Sequence, residues 1–87
     1  MNELTFSEKG FEEYLYWQTQ DKKTLKKINS LLEDIKRNGV MQGIGKPEPL
    51  RYRPGYSRRI DDKNRLVYDI DELENIRIIS CKGHYED

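Results

Sequence analysis

The single histidine of the chain, His84, has the side chain whose unperturbed pKa, about 6.5, lets it give or take a proton near neutrality. Taken alone, a surface histidine is usually inert. Tyr85 follows it directly, and a phenol can stack on a base or donate to a phosphate. Glu48 stands between Pro47 and Pro49, whose restricted backbones hold the carboxylate rather than tether it loosely; the same prolines would also serve merely to stiffen a loop. Arg58, Arg59 and Arg65 fall on neighbouring extended segments. They too have a bland alternative as solvated strand positions, and Arg65 has one as an ion-pair partner of Asp61, Asp62 or Asp69. Together these are the parts of a metal-free ribonuclease. A carboxylate takes the proton of a ribose 2′-hydroxyl, a guanidinium stabilises the phosphorane-like transition state, and an imidazolium gives a proton to the departing 5′-oxygen. Composition makes that chemistry available without showing that the groups converge.

Positioning them falls to a short list of elements. Residues 3–6 are short enough for an edge strand. Ser7 suits a helix N-cap, and Phe11, Tyr14, Leu15 and Gln18 follow at i, i+3, i+4 and i+7, which predicts a helix with that stripe inward. Asp21 is a second N-cap that restarts the helix in a new direction. Leu25, Ile28, Leu31, Leu32 and Ile35 mark a longer amphipathic helix, closed at Asn38-Gly39, where glycine takes the left-handed conformation without steric cost. A tight turn thus joins two antiparallel helices. Residues 39–49 hold three glycines and two prolines without periodicity and read as an irregular loop. Pro54-Gly55, between Leu50–Arg53 and Tyr56–Ile60, predicts a hairpin with a type II turn. Asp61 to Asn64 is a second turn and Asp71 to Asn75 a third. Between them Arg65 to Ile70 alternates, with Leu66, Tyr68 and Ile70 on one face and Arg65, Val67 and Asp69 on the other. Ile76 to Cys81 is the last strand. The order is β-α-α-β-β-β, an α+β fold in which the helix pair covers one face of a small, mostly antiparallel sheet. The open face is expected to bear Arg58, Arg59 and Arg65 and to suit a large anionic ligand.

Eighty-seven residues predict one domain spanning 1–87, burying only about 60–65% of its unfolded surface. Hydrophobic residues are 34% and charged residues 37% of the chain, and 10% aromatics argue against disorder. No apolar run approaches the roughly 18 residues of a membrane helix, and Met1-Asn2-Glu3-Leu4 does not open a secretory signal. Cys81 is the only cysteine, which excludes an internal disulfide and a multi-cysteine zinc site. The expectation is a small cytoplasmic protein without membrane attachment. The net charge of zero hides a segregation. Residues 1–21 carry five acidic and one basic side chain, residues 22–37 two and six, residues 38–68 three and seven, and residues 69–87 six and two. The basic middle suits an anionic partner such as nucleic acid, or is simply a solvated basic surface.

Six stretches, Tyr14-Leu15-Tyr16-Trp17, Lys26-Lys27-Ile28-Asn29, Gly45-Lys46-Pro47-Glu48-Pro49-Leu50, Ser57-Arg58-Arg59-Ile60, Arg65-Leu66-Val67-Tyr68 and His84-Tyr85, carry a resemblance through nearly the whole chain. In their order and spacing the sequence resembles the YoeB/Txe toxins, a branch of the RelE superfamily of bacterial type II toxin–antitoxin systems. The resemblance implies a RelE-like fold and a ribosome-dependent endoribonuclease, an mRNA interferase that cuts mRNA in the ribosomal A site and stops translation. It implies Glu48 as general base, Arg65 as stabiliser of the transition state and His84 as general acid, with Tyr85 assisting substrate placement. Lys46, Arg58 and Arg59 fall where the family places phosphate- and rRNA-binding charge. No cofactor and no metal are implied. The implied partners are a YefM/Axe-type antitoxin that wraps its C-terminal segment on the toxin, the 70S ribosome with its rRNA, and mRNA; the oligomeric state stays open, a homodimer included. Two features depart from the family pattern: the neutral net charge, and Glu86-Asp87 after His84-Tyr85, two carboxylates beside the proposed acid. Two readings of other classes compete. One is a non-enzymatic toxin of RelE/ParE fold that inhibits gyrase; the other is an RNA-binding module without activity. Glu48 and His84 in their motif contexts favour the nuclease.

Overall fold

The computed structural model describes residues 3–84. Seven elements follow one another: β1 (Leu4–Phe6), α1 (Glu8–Gln20), α2 (Lys22–Asn38), β2 (Glu48–Pro49), β3 (Tyr56–Arg59), β4 (Arg65–Ile70) and β5 (Ile76–Ser80). The sheet order is β1-β5-β4-β3-β2. β1 pairs with β5 in parallel and the other three pairings are antiparallel, so the sheet is mixed, with short strands at both edges. The small α+β fold expected from the sequence is present. Among the described residues no helix is long and apolar enough to cross a membrane.

Both helix starts follow their capping residues. Ser7 Oγ accepts from the Gly10 N–H at 3.0 Å and itself donates to Ile79 O at 2.9 Å, so one side chain both caps α1 and ties it to β5. Asp21 accepts from the Lys23 and Thr24 N–H groups and opens α2. α2 buries Ile28, Leu31, Leu32 and Ile35, as its periodicity predicts, each such side chain contributing about 1.5–3 kcal/mol. The stripe on α1 is turned from its expected place. Gly10 and Trp17 are buried and Tyr14 half-buried, whereas Phe11 and Leu15 are 49% and 43% exposed. The cause is the closeness of α1 to β5: a Cβ at position 10 would lie 2.5 Å from Ile78 O, so a glycine, not a large apolar residue, occupies the point of approach.

Trp17, Ile28, Leu31, Leu32 and Ile35 from the helices meet Ile60, Leu66, Tyr68, Ile76, Ile78 and Cys81 from the sheet side in one core. The hairpin differs from expectation. Its first arm is Glu48–Pro49 rather than residues 50–53, with Glu48 opposite Ser57 and Pro49 opposite Tyr56, and it closes where Leu50 N donates to Gly55 O at 2.9 Å. Residues 51–54 loop out because they offer the core nothing: Tyr52 is 74% exposed and both neighbouring arginines are exposed. This short arm replaces the expected one at 50–53, so four strands follow the helices, where the order β-α-α-β-β-β counts three.

Candidate active site on the open sheet face

Paired residues in antiparallel strands share a face. The pairs Glu48–Ser57, Ser57–Val67 and Val67–Ser80 therefore make one row across the face opposite the helices, exposed at Glu48 and buried at Val67 and Ser80. Arg59 and Arg65, paired with each other, make the next row on the same face. From strand spacing, the backbones of Glu48 and Arg65 lie roughly 10–12 Å apart, a gap that the two side chains and one phosphodiester would span. At the other end of the face Arg77 pairs with Asp69 at 3.2 Å. The arginines 59 and 65 thus lie beside the Glu48 row, and the far end is neutralised.

The segment that precedes His84 is tied to this end. The Cys81 N–H donates to Glu13 Oε1 at 2.8 Å and Cys81 O accepts from the Trp17 indole at 2.9 Å, so α1 holds the chain as it leaves β5. Gly83 then donates to Asn64 Oδ1 at 2.7 Å and accepts from the Arg65 N–H at 3.1 Å. The residue preceding His84 is thereby bonded to the backbone of Arg65. Glu48 arrives from the opposite side of the sheet, where Gly45 O accepts from the Arg59 N–H at 2.6 Å and sets the 46–48 segment beside β3. Lys46 and Glu48 are exposed, as is His84, and Arg65 is half-buried. Among the described residues, no side-chain hydrogen bond or ion pair engages Glu48, Arg65 or His84, whereas Arg59 is ion-paired with Asp62. A carboxylate, two guanidinium groups and an imidazole so disposed can perform acid–base chemistry on an anionic chain laid across the face. Tyr85, and with it Glu86 and Asp87, lies outside the described residues.

Arg58 corrects the sequence reading. It is not on the open face but on the helix side of β3, fully buried, because it alternates with Ser57 and Arg59 and pairs with the core residue Leu66. All five of its N–H donors are used: Nε on Tyr68 Oη at 2.9 Å, Nη1 on Asp34 Oδ2 at 2.5 Å and Ile44 O at 3.0 Å, and Nη2 on Gly39 O at 2.8 Å and Gln42 O at 2.7 Å. The guanidinium holds the Asp34 carboxyl below the usual carboxylate range, and burial raises the Tyr68 phenol. No donor remains for phosphate. Asp34, Asn64 and Glu13 are the positioning groups that sequence reasoning missed. Asn64 was expected only as a turn residue, and the single signal for Asp34 was a carboxylate one position before the buried Ile35.

Similarity to known proteins extends this description. Residues 6–85 match the model of the YoeB-like toxins of bacterial type II toxin–antitoxin systems. The chain is 43% identical to Toxin YoeB of Escherichia coli K12 over 84 residues, covering 94% of this chain and 98% of the relative. It superposes with a TM-score of 0.87 and 52% identity on a chain of the heterotetrameric YoeB–YefM toxin–antitoxin complex of Staphylococcus aureus, covering 98% and 99% of the two chains. With the YoeB dimer of the same organism the TM-score is 0.88 at 52% identity, covering 97% and 98%.

Proposed function

The chain belongs to the YoeB-like toxins of bacterial type II toxin–antitoxin systems, and on that premise we propose that it is a ribosome-dependent endoribonuclease, an mRNA interferase that cuts mRNA in the A site. The observation that supports the reading is that Glu48, Arg59 and Arg65 share one face of the sheet while Gly83, the residue before His84, is bonded to the backbone of Arg65. Glu48 takes the proton of a ribose 2′-hydroxyl. The freed oxygen bonds to the adjacent phosphorus, the bond to the 5′-oxygen breaks, and His84 gives that oxygen its proton. The products are a 2′,3′-cyclic phosphate and a free 5′-hydroxyl. Arg65 stabilises the charge that develops on the phosphoryl oxygens, and Lys46 and Arg59 hold flanking phosphates and rRNA. Tyr85, next to His84 in sequence, assists substrate placement.

The proposed partners are the ribosome with its mRNA, which places the protein in the cytoplasm, and a YefM-type antitoxin, as in the Staphylococcus aureus complex. A homodimer is proposed from the dimer of that relative. An acidic antitoxin segment covering the open face would pair with Arg59 and Arg65, so Arg59→Glu should weaken the complex and leave the fold intact. The functional test is induced expression with pulse labelling. Protein synthesis should fall before DNA synthesis, with cleaved mRNA. Arrest of DNA synthesis first, with intact mRNA, would instead support a gyrase inhibitor on the same fold.

A further inference from the structure

Three of the five acceptors around Arg58 are main-chain carbonyls of one loop, those of Gly39, Gln42 and Ile44. The other two are side chains that grip the same loop: Asp34 accepts from the Ile44 N–H at 3.1 Å, and Tyr68 donates to Val40 O at 2.6 Å. Five main-chain groups of residues 39–44 are thus bonded to three buried or mostly buried side chains. The loop leaves this grip at Gly45, bonded to Arg59 N, and passes through Lys46, which has φ +51 directly before Pro47. A non-glycine residue with positive φ is strained, and a following proline restricts it further. Such conformations persist only where the surroundings over-determine them. Glu48 comes two residues later. A buried ion pair is a weak means of stabilising a core, often no better than apolar side chains of like volume. Its effect here is on the shape of one loop.

We propose that Arg58, Asp34 and Tyr68 are positioning residues, a clamp that holds residues 39–46 on the strained path delivering Glu48 to the open face. The clamp as architecture stands on the bonds just described; its catalytic consequence rests on the reading of Glu48 as general base. Two near-isosteric variants test both, Tyr68→Phe and Asp34→Asn, each compared with the wild-type protein by amide exchange and by single-turnover cleavage on programmed ribosomes. The Ile44 and Arg59 amides should exchange at least about tenfold faster in Tyr68→Phe while α2 amides such as that of Ile28 keep their protection. Cleavage should slow by roughly tenfold to a hundredfold, the range expected when a reacting group is displaced by about an ångström. In a Glu48→Gln background the same substitution should cost nothing further, because the group being positioned has already lost its function.

Unchanged exchange at Ile44 and Arg59 in both variants would overturn the clamp. Faster exchange with wild-type cleavage would overturn the positioning role, and so would a loss that adds in full to that of Glu48→Gln, the mark of a merely structural effect. If Glu48→Gln itself cleaved like the wild-type protein, the base assignment and the positioning role would fall together, while the exchange data would still decide the clamp.

Discussion

Glu48, Arg65 and His84 differ from most charged neighbours in having no side-chain partner among the described residues. Arg58 and Asp34, of the same chemical types, are committed to each other at 2.5 Å with the arginine fully buried. Opposite mutational signatures follow. Glu48→Gln and His84→Gln should leave unfolding free energy within about 0.5 kcal/mol of wild type, whereas Asp34→Ala should lower it by about 3–5 kcal/mol, since it leaves a buried guanidinium without its counter-charge. Urea unfolding at neutral pH checks both, and a strongly destabilised His84→Gln would contradict the description of that residue as exposed and unpartnered. Cys81 gives a separate test. It is buried, and burial, reinforced by Glu13, pushes its thiol up to about 12. A thiol so placed is a poor nucleophile, so a disulfide reagent at pH 8 should leave the native protein unlabelled and label it fully in denaturant. Rapid native labelling would show that the end of β5 opens readily.

The elements show where sequence reading reaches and where it stops. Ser7, Asp21 and Gly39 mark the helix boundaries because capping is local, and the α2 stripe was legible because one face of a long helix meets the whole core. The α1 stripe was not, since its rotation is set at Gly10 by a strand nearly seventy residues away. The arm carrying Glu48 was read as loop, because two residues between irregular segments give no periodicity; only the pairing with Ser57 makes them a strand. Arg58 was legible in principle. Alternation puts positions 58 and 60 on one face, and Ile60 is a core residue, but charge suggested solvent. The open face with Arg59 and Arg65 was otherwise foreseeable from the strand pattern, whereas the ties that fix residues 81 and 83 ahead of His84, through Glu13, Trp17 and Asn64, depend on contacts far apart in sequence. Ser7→Ala tests the link between α1 and β5. It removes a cap and leaves Ile79 O without its donor, and should destabilise by about 1–3 kcal/mol, measured by urea unfolding; a change below a few tenths of a kcal/mol would show that the cap is idle.

For the molecule as a whole, acid sensitivity follows from the hydrogen bonds of a few carboxylates. Asp21, Asp34 and Asp71 titrate below the ordinary 3.8 because of bonds to, in turn, Thr24, Arg58 and Asn75. A carboxylate depressed in the folded state contributes stability that is present above its unfolded pKa and is lost as pH falls through the folded value. Urea midpoints should therefore hold between pH 7 and pH 5 and fall below about pH 4, and Asp34→Asn, less stable throughout, should show a shallower fall. An equal slope in that variant would remove Asp34 from the acid response. The central claim is the proposal that Glu48 and His84 flank Arg65 on the open face and act on mRNA held by the ribosome. Its most direct test is single-turnover incubation of wild-type and His84→Gln proteins with ribosomes carrying a defined mRNA. The expected result is a cut within the A-site codon that leaves a 2′,3′-cyclic phosphate, at least about a hundredfold slower with His84→Gln. Intact mRNA with the wild-type protein, or undiminished cleavage by the variant, would contradict it.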